Sequence, residues 1–128
     1  FVPLVENGYV DADNPVTKMV IAEYLQELRD KNVDTLILGC THYPLIKRMI
    51  GEFMGDAVTL IDSGKVTAQA TAAALDDLGL LNGRKTGGSA QFFVSDVPYE
   101  FARQARMFLG EYAGSGDVPV ERIAIESY

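Results

Sequence analysis

The sequence has 128 residues, enough for one ordinary domain, and its 48% apolar and 23% charged residues exclude a disordered polar chain. Eleven Lys and Arg stand against 18 Asp and Glu, a net charge of −7 with no basic cluster. That balance argues against binding to nucleic acid or to an anionic membrane surface, both of which need clustered cations.

The chain opens Phe-Val-Pro-Leu-Val-Glu, with no Met, no basic region and no small-residue cleavage site. It does not read as a signal peptide, and an apolar start reads as a cut from a longer chain. Residues 7–14 are rich in turn formers. Asn14-Pro15 is a helix N-cap followed by Pro at the first helical position. Val16, Val20, Tyr24, Leu25 and Leu28 then share one helical face, and the pattern ends near Lys31-Asn32. Thr35-Leu36-Ile37-Leu38-Gly39 is a continuous apolar run, expected for a strand buried on both faces. The uncharged stretch around it covers 12 residues, from Thr35 to Ile46, against roughly 20 for a membrane span.

Cys40-Thr41-His42-Tyr43-Pro44 follows as a loop, and Pro44 restarts a helix carrying Ile46, Met49, Ile50 and Phe53. Val58-Thr59-Leu60-Ile61 is the next strand. Ser63 is expected to cap a helix that runs to Leu78 and ends at Gly79. Residues 80–89 form a loop, with Asn82-Gly83 and Gly87-Gly88 as breakers. Gln91-Phe92-Phe93-Val94 is a third strand. A helix from Pro98 follows, with Phe101, Ala105, Phe108 and Leu109 in phase, broken by Gly114-Ser115-Gly116. Residues 120–125 alternate apolar and charged side chains, as a short edge strand does. The order αβαβαβαβ predicts an α/β fold, a parallel sheet with helices on both faces. No internal repeat or low-complexity tract is present.

In such folds ligands bind beyond the carboxyl ends of the strands. Cys40-Thr41-His42 occupies that place. A helix start behind it would bring free N–H groups and a positive dipole end, able to hold a carboxylate or favour a thiolate. Gly39 permits close approach of a ligand to the backbone. A lone cysteine is more often an inert small hydrophobe, but here its neighbours are polar and it stands at a strand end. His42, two residues on, is a candidate acid or base. Glu6 is either a carboxylate at a second strand end or a solvated loop residue, and position alone favours the latter. Gly64-Lys65-Val66-Thr67 lacks the phosphate-loop spacing, and Gly87-Gly88 lacks the dinucleotide fingerprint. The single histidine excludes a His-rich metal site within this chain, and the single cysteine excludes an internal disulfide.

Leu36-Ile37-Leu38-Gly39-Cys40-Thr41-His42-Tyr43-Pro44-Leu45 resembles the second catalytic-cysteine motif of glutamate racemase, within the aspartate/glutamate racemase superfamily. Val2-Pro3-Leu4-Val5-Glu6 resembles the family's segment upstream of it, and Leu60-Ile61-Asp62-Ser63-Gly64 the segment downstream. The likeness is strong over residues 1–78 and weaker over 79–128. It implies a cytoplasmic, cofactor-independent isomerase that supplies D-glutamate for peptidoglycan and so for cell shape. Two cysteines flank the substrate's α-carbon, one removing its proton and the other protonating the opposite face. Cys40 matches the second of these. Thr41 matches a substrate-holding residue, His42 the histidine that assists the cysteine or binds the ligand, and Glu6 an acidic residue that tunes that histidine.

The family also has an N-terminal half, with the other cysteine and an Asp-Ser motif, that these 128 residues lack. Asp62-Ser63 stands at a different place and does not take over that motif's role. The resemblance therefore implies half of a two-domain racemase fold. Residues 1–62 would belong to the second domain, and 63–128 would complete the first. The expected partners are glutamate and the missing half of the same protein, with a homodimer as a further possibility. The isolated chain should have little or no racemase activity and should associate through its uncovered apolar face. Two other readings stay open: a thiol hydrolase with Cys40 as nucleophile and His42 as its base, and a non-catalytic module that holds a small carboxylate at the same loop.

Overall fold

Asn14 begins the longest helix as its sequence demands. Its side chain accepts a hydrogen bond from Thr17 N–H at 3.1 Å, and Pro15 supplies the fixed φ of the first turn. In this computed structural model, which describes residues 1–84, 88–110 and 118–124, that helix is the second element. The first unit of the chain, Phe1–Asn82, runs α1 (Val2–Glu6), α2 (Pro15–Asp30), β1 (Thr35–Leu38), a 3₁₀ turn (Tyr43–Ile46), α3 (Lys47–Met54), β2 (Thr59–Asp62) and α4 (Ser63–Asp77).

Strands β1 and β2 pair in parallel, from Thr35 opposite Thr59 to Leu38 opposite Asp62. Helices α2 and α3 pack together. The core is Val5, Ile21, Leu25, Leu38, Ile46, Met49, Ile50 and Met54. Each such side chain contributes about 1.5–3 kcal/mol when fully buried. Arg29 lies over the Phe53 ring at 5.1 Å, closing one end of the helix pair. Phe1 packs against Tyr24 and Tyr43, with ring centroids 5.4 and 5.5 Å apart.

Several expectations need correction. Residues 2–6 are a short helix, so Glu6 stands at a helix end rather than a strand end. The buried face of α2 is Thr17, Ile21 and Leu25, while Val16 and Tyr24 are exposed. The shift is explained by Thr17, whose hydroxyl donates to the Tyr9 carbonyl at 2.7 Å and so enters the core at no polar cost. Strand β1 is not buried on both faces within this chain, because Ile37 is 65% exposed. The cap of α4 is Asp62, which accepts from Lys65 N–H at 2.9 Å, and not Ser63. Gly79, at φ 68°, follows the end of α4 as expected.

The second unit, Gly83–Tyr128, has β3 (Phe92–Val94), α5 (Pro98–Leu109) and β4 (Val120–Arg122). Strands β3 and β4 are parallel, with Phe92 opposite Val120. Ala105 of α5 is buried, and the Phe101 ring lies 5.6 Å from that of Phe92. The expected breaker at 114–116 and the end of the 120–125 alternation lie outside the described residues. Among the described residues, each unit holds one two-stranded parallel sheet. The α/β class and the parallel pairing are as expected. Among the described residues no helix is long and apolar enough to cross a membrane.

Candidate active site

Strand β1 ends at Leu38, and Gly39 and Cys40 follow it. The chain then tightens. Tyr43 N–H donates to the Cys40 carbonyl and Leu45 N–H to the His42 carbonyl, both at 3.2 Å. These two i to i+3 bonds wind the loop into the 3₁₀ turn that precedes α3. They also correct one expectation. The Tyr43 and Leu45 N–H groups are already engaged, and Pro44 has none, so the start of this turn offers no row of free donors to an anion.

The tight turn folds His42 back toward the thiol. Cys40 Sγ lies 3.7 Å from His42 Nδ1, and Thr41 Oγ1 lies 3.3 Å from the same nitrogen. The other ring nitrogen, Nε2, is 3.1 Å from Glu6 Oε1 at the end of α1. The His42 side chain is 18% exposed and that of Glu6 39%. Cys40 is a half-buried free thiol. The structure thus brings Cys40, Thr41, His42 and Glu6 into one cluster, although Glu6 is 36 residues from His42 in sequence.

The chemistry follows from the donors and acceptors. An ionised carboxylate only accepts, so Glu6 favours the tautomer with hydrogen on Nε2. That leaves the Nδ1 lone pair facing the thiol and the Thr41 hydroxyl. In that tautomer the Cys40 thiol can donate to Nδ1. Among the described residues, no group of three or more His, Cys, Asp or Glu side chains is placed to hold a metal ion.

One nearby contact has no counterpart in the sequence reading. Ser63 Oγ, at the start of α4, donates to the Leu38 carbonyl at the end of β1 at 2.9 Å. A hydroxyl just beyond a carboxylate cap was the only available signal.

No protein-family model matches the chain. Glutamate racemase of Geobacter metallireducens is 47% identical over 114 residues, which is 89% of this chain and 42% of that protein. Among solved structures, a glutamate racemase isoform of Bacillus anthracis superposes with a TM-score of 0.81 at 29% identity, over 97% of this chain and 44% of that one. The Francisella tularensis glutamate racemase, solved with D-glutamate, gives 0.78 at 34% identity, over 100% of this chain and 46% of that one. The chain spans about 40% of the length of the curated relatives it matches. By sequence and by fold, over the stretch it covers, the chain is similar to the C-terminal part of glutamate racemases.

Proposed function

We propose that these residues supply one face of a glutamate racemase site, with Cys40 as the acid and base on that face. The observation that carries this reading is the chain of contacts from Cys40 Sγ through the His42 ring to Glu6. Relatives of that name at 40–47% identity support it. In one direction the Cys40 thiolate takes the α-proton of glutamate and becomes a thiol. A second thiol on the opposite face then protonates the carbanion. In the other direction Cys40 is the proton donor. This sequence has one cysteine, so the second thiol comes from outside these residues. Thr41, exposed beside His42, holds the substrate's polar groups. The whole enzyme works without a cofactor, in the cytoplasm, supplying D-glutamate for peptidoglycan.

The partner that completes the site is the remainder of the same protein. Residues 1–62 belong to one domain of it, and residues 63–128 help build the other. Helix α4 supports this division, since it has no buried residue, and Val66 and Leu78 are 50% and 70% exposed.

The test uses the full-length protein and glutamate in deuterated water. Racemisation with solvent deuterium at the α-carbon is expected, and Cys40→Ala should lower turnover by about a thousandfold or more. A covalent acyl adduct on Cys40 would point instead to thiol hydrolysis. Retained ligand binding and biological role in Cys40→Ala would point to a binding module.

A further inference from the structure

We propose that Ser63 is a positioning residue for Cys40. The proposal rests on the reading of Cys40 and His42 as a working pair, and it goes beyond that reading by naming what holds the thiol in place.

Leu38 opposite Asp62 is the last pair of the β1–β2 ladder. Beyond it the two chains separate, one into the Cys40 loop and the other into α4. At this divergence the Ser63 hydroxyl donates to the Leu38 carbonyl at 2.9 Å, a side-chain bond from the start of α4 to the end of β1. The hydroxyl has no capping duty, because Asp62 caps α4 through Lys65 N–H.

From the Leu38 carbonyl to Cys40 the chain passes through Gly39 alone. Glycine is the most permissive residue in φ and ψ. A Cβ built there would meet nothing within 4 Å, so no side chain packs over that side of the glycine. The Ser63 bond to the Leu38 carbonyl fixes the chain one residue before this link. On its C-terminal side the loop is fixed by Tyr43 N–H on the Cys40 carbonyl. The Sγ to Nδ1 separation of 3.7 Å is already long. A small swing of the peptide after Leu38 is enough to break it.

The experiment is performed on the full-length protein. Alkylation of Cys40 by iodoacetamide at neutral pH is followed by mass spectrometry of its peptide, so other cysteines do not interfere. Ser63→Thr keeps the hydroxyl, while Ser63→Ala and the shape-matched Ser63→Val remove it. Each variant is made with His42 present and in a His42→Asn background. The expected result is an alkylation rate about tenfold lower in Ala and Val, and near wild type in Thr. The loss should vanish when His42 is already replaced, because Ser63 acts through the thiol–imidazole geometry. Glutamate turnover should show kcat falling about tenfold in Ala and Val with KM moving less than about twofold. Wild-type alkylation rates in Ala and Val would overturn the proposal, as would an equal loss in both His42 backgrounds. If only one of the two folds, that one decides. Failure of both to fold while Thr folds would overturn it as well, since the hydroxyl would then hold the fold rather than the thiol. If the wild-type protein does not racemise glutamate, the functional reading fails, and alkylation alone decides the role of Ser63.

Discussion

His42 Nε2 lies 3.1 Å from Glu6 Oε1, and the contact ties the end of α1 to the loop after β1 across 36 residues of chain. A charged Glu6 carboxylate accepts from Nε2–H and so turns Nδ1 toward Cys40. Glu6→Gln preserves the size and removes that charge. In the full-length protein, kcat for glutamate should fall about tenfold to a hundredfold with a smaller change in KM. Steady-state racemisation followed by polarimetry reads both constants. An unchanged kcat would reduce Glu6 to a surface carboxylate.

Thr41 shares Nδ1 with the thiol, at 3.3 Å, yet the residue is exposed. A hydroxyl so placed contributes little to folding and is available to a ligand. Thr41→Val keeps the shape. The melting temperature should stay within about 2 °C, as for ordinary surface substitutions. KM should rise about tenfold, the worth of one hydrogen bond to a charged substrate group. A drop in kcat with KM fixed would instead place Thr41 in the proton relay.

The strand-end position of Cys40 was legible because β1 is a short apolar run and the residues after it change abruptly to polar. Glu6 was legible only through resemblance. A five-residue helix with Pro3 near its start has too few turns to show a period, and a contact over 36 residues leaves no local trace. The inward face of α2 was misread for a related reason. Val16 and Tyr24 look like core residues and are exposed, whereas Thr17 looks like surface and is buried through its bond to Tyr9. Hydrophobic pattern reports what a residue prefers, and a satisfied hydroxyl can reverse the preference.

Asn14 anchors α2, whose Ile21 and Leu25 lie in the core. Asn14→Ala leaves Thr17 N–H without its side-chain acceptor. The loss should be about 1 kcal/mol of stability. Urea unfolding should show a lower midpoint at an unchanged slope. A changed slope would mean that the cap also shapes the unfolded or native ensemble.

Two glycines should respond oppositely to alanine. Gly55 ends α3 at φ 89°, a conformation that L-residues rarely adopt. Gly55→Ala should cost about 1 kcal/mol or more. Gly39 has no positive φ, and a Cβ there meets nothing within 4 Å. Gly39→Ala should therefore leave unfolding within about 0.5 kcal/mol of wild type. Thermal unfolding of the pair separates backbone strain from open space.

Ile37 bears on how the sheet is completed. It lies in the middle of β1 and is 65% exposed. Parallel strands are ordinarily covered on both faces, and the chain spans 42% of the length of the Geobacter metallireducens protein. If the rest of the protein packs on this face, the same substitution must have different costs in two contexts. In the 128-residue polypeptide, Ile37→Thr should change stability by less than about 0.5 kcal/mol, as an exposed site does. It should also reduce self-association, read as a smaller sedimentation coefficient at high concentration, because it removes an apolar contact from an open sheet face. In the full-length protein it should cost about 1.5–3 kcal/mol, the worth of a buried isoleucine. Equal costs in both contexts would mean that Ile37 stays exposed in the full-length protein, and the covering partner would have to be sought on α4.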